Sequence, residues 1–377
     1  MPDERVTRRT FVALAGAAQA GAVHTAAQNT QPNTQQREPV VTDRRDEPVP
    51  RTAAGVIRIA TTHDFSPAEI EQLEAAAPGT KVEITVAHGQ DELRVKLRDA
   101  EVLYGDPRGS DLDFAPKLKW AQAGAAGMEW MDEELRKSPV VLTNMARIFA
   151  PAISETAIGL LLCLTRGITK YYMPQFYRHE MKPVGTVESA DHVELAGKVM
   201  GIVGMGGMAS AIARRAHYGF DMRVVGTDAK PMAAPEYVSE LHDPGWFHEM
   251  VPQVDVLVAA APLTPLTRRM FDERVFRSMK NTGYFIATSR GGLFDDMALV
   301  RALKENWIAG AGMDVFPQEP PPPDHPIYTC QNAVMTAHTS GWSPDRQVRL
   351  IELFAENIRR YANGLPLMNV VDKRAGY

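Results

Sequence analysis

From Val56 onward the chain alternates short apolar runs with amphipathic stretches. VIRIATTH, KVEITVAH and EVLYGD have the length and β-branched character of strands. Between them, SPAEIEQLEAA and DELRVKLRDA carry their apolar residues at helical spacing. Ser66 followed by Glu69 predicts a capped helix start. LKWAQ and VVLTNM add two more strand candidates. FAPAISETAIGLLLCLTRGI is apolar around most of its surface, so it predicts a buried helix of about five turns, expected at the junction between domains. KVMGIVG then opens a second series, continued by MRVVGTD, VDVLVAAAP, GYFIATS, AGAGMDV and AVMTAH. MASAIARRAHYG, FDERVFRSM and DMALVRALKEN are the helices between these strands. Strand–helix alternation of this kind predicts an α/β protein with doubly wound parallel sheets. The last helix, DRQVRLIELFAENIRRYANG, and its tail are expected to return to the first series. The division that follows is one domain from residues 55–150 and 350–377 and a second from 151–349.

At 377 residues the chain can bury two cores. A formal charge of −5 gives no electrostatic case for nucleic acid or for an anionic membrane as partner. The ten histidines are scattered without metal-ligand spacing, so no metal is expected. Cys163 and Cys330 make no disulfide framework and are expected as free thiols. The first 27 residues have a different character. Thr7-Arg8-Arg9-Thr10-Phe11-Val12, the uncharged run FVALAGAAQAGAV and the small residues Thr25-Ala26-Ala27 follow one another in the order of a twin-arginine export signal. The run is too short for a stable membrane anchor. These features predict a periplasmic protein, with residues 28–54 as a polar, unstructured linker.

The chemistry gathers in the second series. Gly204-Met205-Gly206-Gly207-Met208-Ala209 fits G-x-G-x-x-[G/A] between a strand and a helix. Gly204 allows the turn, Gly206 lets a pyrophosphate approach, and Gly207 and Met208 begin the helix whose positive end meets the phosphates. Asp228 closes the next strand about 20 residues on, where an acid accepts hydrogen bonds from ribose hydroxyls and repels a 2′-phosphate. NAD is therefore favoured over NADP, although Lys230 nearby weakens the preference. Strand ends fall at Gly204, Asp228, Pro262, Arg290, Asp314 and His338, along one edge of a single sheet. A guanidinium, carboxylates and an imidazole beside a nucleotide loop make a candidate active site.

GIVGMGGMA, APLTPLTRRMF, MKNTGYFIATSRGGLFDDMALVRAL, AGAGMDVFPQEPPPPDHPIY and MTAHTSG together resemble the D-isomer-specific 2-hydroxyacid dehydrogenases, over about Val56 to Tyr377. The resemblance implies two Rossmann-like domains with the active site in the cleft between them, the first binding substrate and the second binding NAD. It implies that Arg290 binds the substrate carboxylate and polarises its C2 oxygen. His338 would be the general acid/base and Glu319 the carboxylate orienting it. Asp314 would hold the nicotinamide carboxamide, while Pro262, Thr264, Thr267, Thr288 and Gly341 would line the cofactor. The backbone of Gly124, Ala125, Ala126 and Gly127 would receive the substrate carboxylate. A homodimer is also implied. Two positions depart from the family pattern: Ala209 stands for the third glycine, and Trp342 follows HTSG. Trp342 and Tyr104 are expected to shape the pocket, and a tryptophan at its mouth could enclose a small acid or stack on an aromatic one.

Those roles agree with elementary chemistry. Reduction of a 2-oxo acid needs a hydride and a proton for the carbonyl oxygen, and a histidine beside a carboxylate can supply the proton. A guanidinium binds a carboxylate through two parallel donors. The expected activity is NAD-dependent interconversion of a small D-2-hydroxy acid and its 2-oxo acid. A nucleotide-binding sensor with little turnover is the alternative, and the complete set of Arg290, Glu319 and His338 argues against it. Formate oxidation would leave the Glu319–His338 pair without a C2 oxygen to protonate.

Overall fold

The computed structural model describes residues 47–50, 55–186, 192–230 and 232–377. The candidate signal at 1–27 lies outside the described residues. A first lobe runs β1 (Val56–Thr61), α1 (Pro67–Ala75), β2 (Lys81–Val86), α2 (Gln90–Leu97), β3 (Val102–Tyr104), β4 (Trp120–Gln122), α3 (Glu133–Lys137) and β5 (Val141–Thr143). Then come α4 (Ala150–Thr165) and α5 (Met173–Tyr177). The second lobe runs β6 (Val199–Val203), α6 (Gly207–Phe220), β7 (Arg223–Thr227), β8 (Glu240–His242), α7 (Phe247–Met250) and β9 (Val256–Ala259). It continues with α8 (Glu273–Ser278), β10 (Tyr284–Ala287), α9 (Asp296–Lys304), β11 (Gly310–Met313) and β12 (Ala333–Met335), and α10 (Pro344–Ala362) follows.

Both sheets are parallel throughout. The first has order β2-β1-β3-β4-β5 and the second β12-β11-β10-β9-β6-β7-β8. These are doubly wound orders, with chain direction reversing beside β1 and beside β6. Strands β9, β10 and β11 are buried at every position, as expected where helices cover both faces. One face of the larger sheet packs on α4 and α6 through Leu161, Ile212 and Ile286. The other packs on α7, α8 and α9 through Phe276, Phe285 and Leu299. At the start of α1, Ser66 and Glu69 form the expected reciprocal cap, with Ser66 N donating to Glu69 Oε2 at 2.7 Å.

Helix α10 does return to the first sheet. Its Leu350, Phe354, Ile358 and Tyr361 join Ile57, Ile59 and Trp120 in one core. Helix α4 differs from expectation: it covers the second sheet, and only its first turn, with Phe149 and Ile153 beside Gly341, faces the junction. Its apolar girth is explained by burial between that sheet and α6. Of the expected linker, only residues 47–50 are described. Residues 47–50 lie against the first lobe, where Val49 is buried in the core and Pro48 bridges to Pro366, because an isolated valine found an apolar site. Both cysteines are free.

Candidate active site

Since every pairing in the second sheet is parallel, all its strands end on one edge, and the loops after them share a crevice. Gly204 and Asp228 follow β6 and β7 directly. Pro262, Arg290 and His338 stand a short step beyond β9, β10 and β12, and Asp314 follows β11. The strands that lead to Arg290 and His338, β10 and β12, are two strand spacings apart, about 10 Å.

His338 Nδ1 lies 2.6 Å from Glu319 Oε2. The other oxygen of Glu319 accepts from Phe316 N at 2.8 Å, so the carboxylate is fixed from both sides. His338 has a positive φ of 55°, a conformation held by its surroundings: its N–H donates to Asp314 O at 2.8 Å. Asp314 is buried, and it ties the turn carrying the imidazole. Its Oδ1 accepts from Thr336 Oγ1 at 2.6 Å, Thr339 N at 3.0 Å and Ser340 N at 3.1 Å, while Ser340 Oγ donates to Oδ2. Gly291, next to Arg290, is a close approach. A Cβ there would lie 1.9 Å from the Phe316 carbonyl carbon, so only glycine lets the arginine loop touch the segment that leads to Glu319.

Arg290 reaches across to the first lobe. Its Nη2 lies 1.8 Å from where a Cβ on Gly127 would stand, and its Nε donates to Glu129 Oε1 at 2.8 Å. Its Nη1 donates to Ser289 O at 2.7 Å. The loop it meets is braced from behind: Ala125 O accepts from Met145 N, Ala126 O from Asn144 Nδ2, and Gly127 O from Trp130 Nε1. Gly124 N donates to Asp106 Oδ1 at 3.1 Å. The N–H groups of Ala125, Ala126 and Gly127 have no acceptor among the described residues. Successive free amides beside a guanidinium suit a carboxylate. Asn144, Asp106 and Glu129 were not apparent as site residues in the sequence, since each acts through a partner remote along the chain.

The residues expected to meet a nucleotide stand along the same edge. Gly204 turns at a φ of 89°, and Gly206 opens on empty space at the start of α6. Met208 lies in the first turn of α6, half-buried. Asp228 Oδ2 accepts from Met205 N at 2.6 Å, and its Oδ1 accepts from Lys230 N at 2.7 Å, which sets the carboxylate beside the glycine turn. In the loop after β9, Thr267 Oγ1 donates to Pro262 O at 2.7 Å and accepts from Thr264 N at 2.8 Å. Thr288 is 3% exposed, and its hydroxyl makes no hydrogen bond among the described residues. A buried, unpartnered hydroxyl at the strand edge, an open helix N-terminus and an acid beside it all fit a dinucleotide. Gly341 sits against Phe149 and Ile153 at the junction.

Tyr104 and Trp342 take different places. Tyr104 is buried in a ring cluster with Phe65 at 5.0 Å and Phe354 at 4.7 Å, and burial pushes its hydroxyl up to about 12. It is a core residue that keeps its proton at neutral pH. Trp342 is 69% exposed just ahead of α10.

The family model for the D-isomer specific 2-hydroxyacid dehydrogenase NAD binding domain matches residues 158–340. A glyoxylate reductase of Korarchaeum cryptofilum is 34% identical over 292 residues, covering 74% of this chain and 84% of that protein. A D-3-phosphoglycerate dehydrogenase of Methanocaldococcus jannaschii is 28% identical and covers 84% of this chain and 60% of its own. Among solved structures, the NADPH-dependent glyoxylate/hydroxypyruvate reductase of Sinorhizobium meliloti, in complex with NADP and sulfate, superposes with a TM-score of 0.68. It is 27% identical, covering 85% of this chain and all of that one.

Proposed function

The chain belongs to the family of D-isomer specific 2-hydroxyacid dehydrogenases, and we propose that it reduces a small 2-oxo acid to the D-2-hydroxy acid, with NADH as reductant. The observation that carries this reading is the convergence, at one crevice, of the Glu319–His338 pair with Arg290 and the free amides of Ala125 to Gly127. The relatives named glyoxylate reductases support a substrate of two or three carbons. The acid Asp228 supports NAD, since its charge beside the glycine turn disfavours a 2′-phosphate.

In this mechanism, the substrate carboxylate binds the guanidinium of Arg290 and the amides of the Gly124–Gly127 loop. To do so it displaces Glu129, a carboxylate of the chain itself that neutralises Arg290. Glu319 holds Nδ1–H of His338, which leaves Nε2 to face the C2 oxygen. The residues after β6, β7 and β9 would hold a dinucleotide along this edge, and that group, when bound, would supply the hydride for C2. As negative charge develops on the oxygen, Arg290 stabilises it and His338 gives up its proton, with Glu319 stabilising the imidazolium beforehand. The proton is regained from solvent in the next cycle.

The decisive experiment is NADH oxidation with glyoxylate, hydroxypyruvate and phenylpyruvate. Turnover by the wild-type protein, reduced about 10²–10⁴-fold in His338→Ala, is the expected result; tight NADH binding without turnover would favour the sensor. We also propose a homodimer exported by the twin-arginine route. Supporting the first is an exposed apolar arm at α5, where Phe176, Tyr177 and Met181 stand in solvent. Supporting the second are Arg8, Arg9 and the apolar run after them. The native mass of protein recovered from the periplasm tests both: a dimer of chains shortened by about the first 27 residues is expected, and a full-length monomer would contradict both.

A further inference from the structure

We propose that Arg147 binds the pyrophosphate of the dinucleotide, reaching it from the segment that joins the two lobes. Four observations meet at this residue. Its backbone has a φ of 74°, in the left-handed region that an arginine enters at a cost. Its side chain lies across the first residue of α6: a Cβ on Gly207 would stand 2.3 Å from Arg147 Cγ and 3.3 Å from its Cδ. Gly207 is therefore required by the arginine passing over it. Arg147 is exposed at this edge, and its guanidinium makes no ion pair or hydrogen bond among the described residues. Finally, the turn Gly204-Met205-Gly206-Gly207-Met208-Ala209 contains no cation, while Arg214 and Arg215 stand a further turn or more along the helix.

A cation at the positive end of a helix is repelled by the unpaired N–H groups there. Strain, clearance and repulsion converge on an arrangement that the apoprotein has no electrostatic reason to adopt. A diphosphate bound at the open face of Gly206 reverses the balance, because it would lie between the helix end and the guanidinium and attract both. Arg147 follows β5, the strand next to the one that leads into the Gly124–Gly127 loop, and precedes α4. Its hold on the cofactor thereby ties a first-lobe strand to the second-lobe nucleotide site.

This inference rests on the nucleotide-binding reading above, and the test separates the two. Binding of ADP-ribose and of adenosine is measured by calorimetry on the whole protein, for wild type, Arg147→Gly and Arg147→Asn. Both replacements tolerate the left-handed backbone, so both variants are expected to keep the wild-type melting temperature or exceed it. ADP-ribose affinity should fall about tenfold or more in both, while adenosine affinity stays the same. Equal ADP-ribose affinity in variants and wild type would overturn the assignment and leave the enzyme reading intact. An equal loss for adenosine would also overturn it, as would a wild-type protein that binds neither ligand; the last result would remove the nucleotide reading as well.

Discussion

Arg290, Glu319 and His338 were legible in the sequence because each stands just beyond a strand, where chain direction alone brings them to one edge. Their partners were not. Glu129 pairs with Arg290 from 161 residues away, and no local pattern signals that meeting. The same holds for Asp106 and Asn144, whose hydrogen bonds shape the loop at Gly124–Gly127. Asp314 was legible by position, yet its oxygens are engaged by Thr336, Thr339 and Ser340, so the visible work of this carboxylate is to build the turn under His338. Glu129 has a testable consequence. As a half-exposed ion pair it contributes at most about 1 kcal/mol, so Glu129→Gln should lower KM for the 2-oxo acid about two- to fivefold with little change in kcat. Steady-state kinetics decide it; a raised KM would mean that Glu129 positions Arg290 and does not compete with substrate.

At the scale of elements, apolar strands and well-capped helices announced themselves, even the three-residue edge strands β5 and β12, whereas the edge strand β8 did not. The strand β8 has only three residues, Glu240 to His242, none buried, so it lacks the apolar run that marks β9 or β10. The helix α4 was read correctly as buried but assigned to the junction, because periodicity reports that a face is covered and not what covers it. In α10, the apolar stripe and the charged face are both evident in sequence, and the charged face carries a pH dependence. Hydrogen bonding from Arg359, followed by Arg360, holds the Glu356 carboxyl down at about 2. A group lowered in the folded state stabilises above its unfolded value, here near 4.5, and that stabilisation disappears as pH falls toward 2. Solvent screening limits it to about 0.5–1 kcal/mol. Urea unfolding at pH 7 and pH 3 should therefore show Glu356→Gln destabilised at the higher pH and closer to wild type at the lower.

For the whole molecule, two parallel sheets with separate cores and a returning helix create the crevice, and the chemistry needs groups from both sides of it. Arg290 meets Gly127 and Glu129 of the first lobe, and Arg147 passes from the joining segment over the start of α6. An active site assembled this way makes cofactor retention depend on the joined lobes. That matters if the protein is exported, because free NAD is scarce outside the cytoplasm and a cofactor carried along must stay bound. The central claim is nonetheless chemical: His338, held by Glu319, protonates a 2-oxo acid while hydride arrives at C2. It is tested most directly by NADH oxidation with glyoxylate, comparing wild type and His338→Ala with NADH binding measured in both. The account predicts equal NADH affinity and a rate lower by about 10²–10⁴ in the variant. Equal rates in the two proteins, or no turnover by wild type that binds NADH, would contradict it.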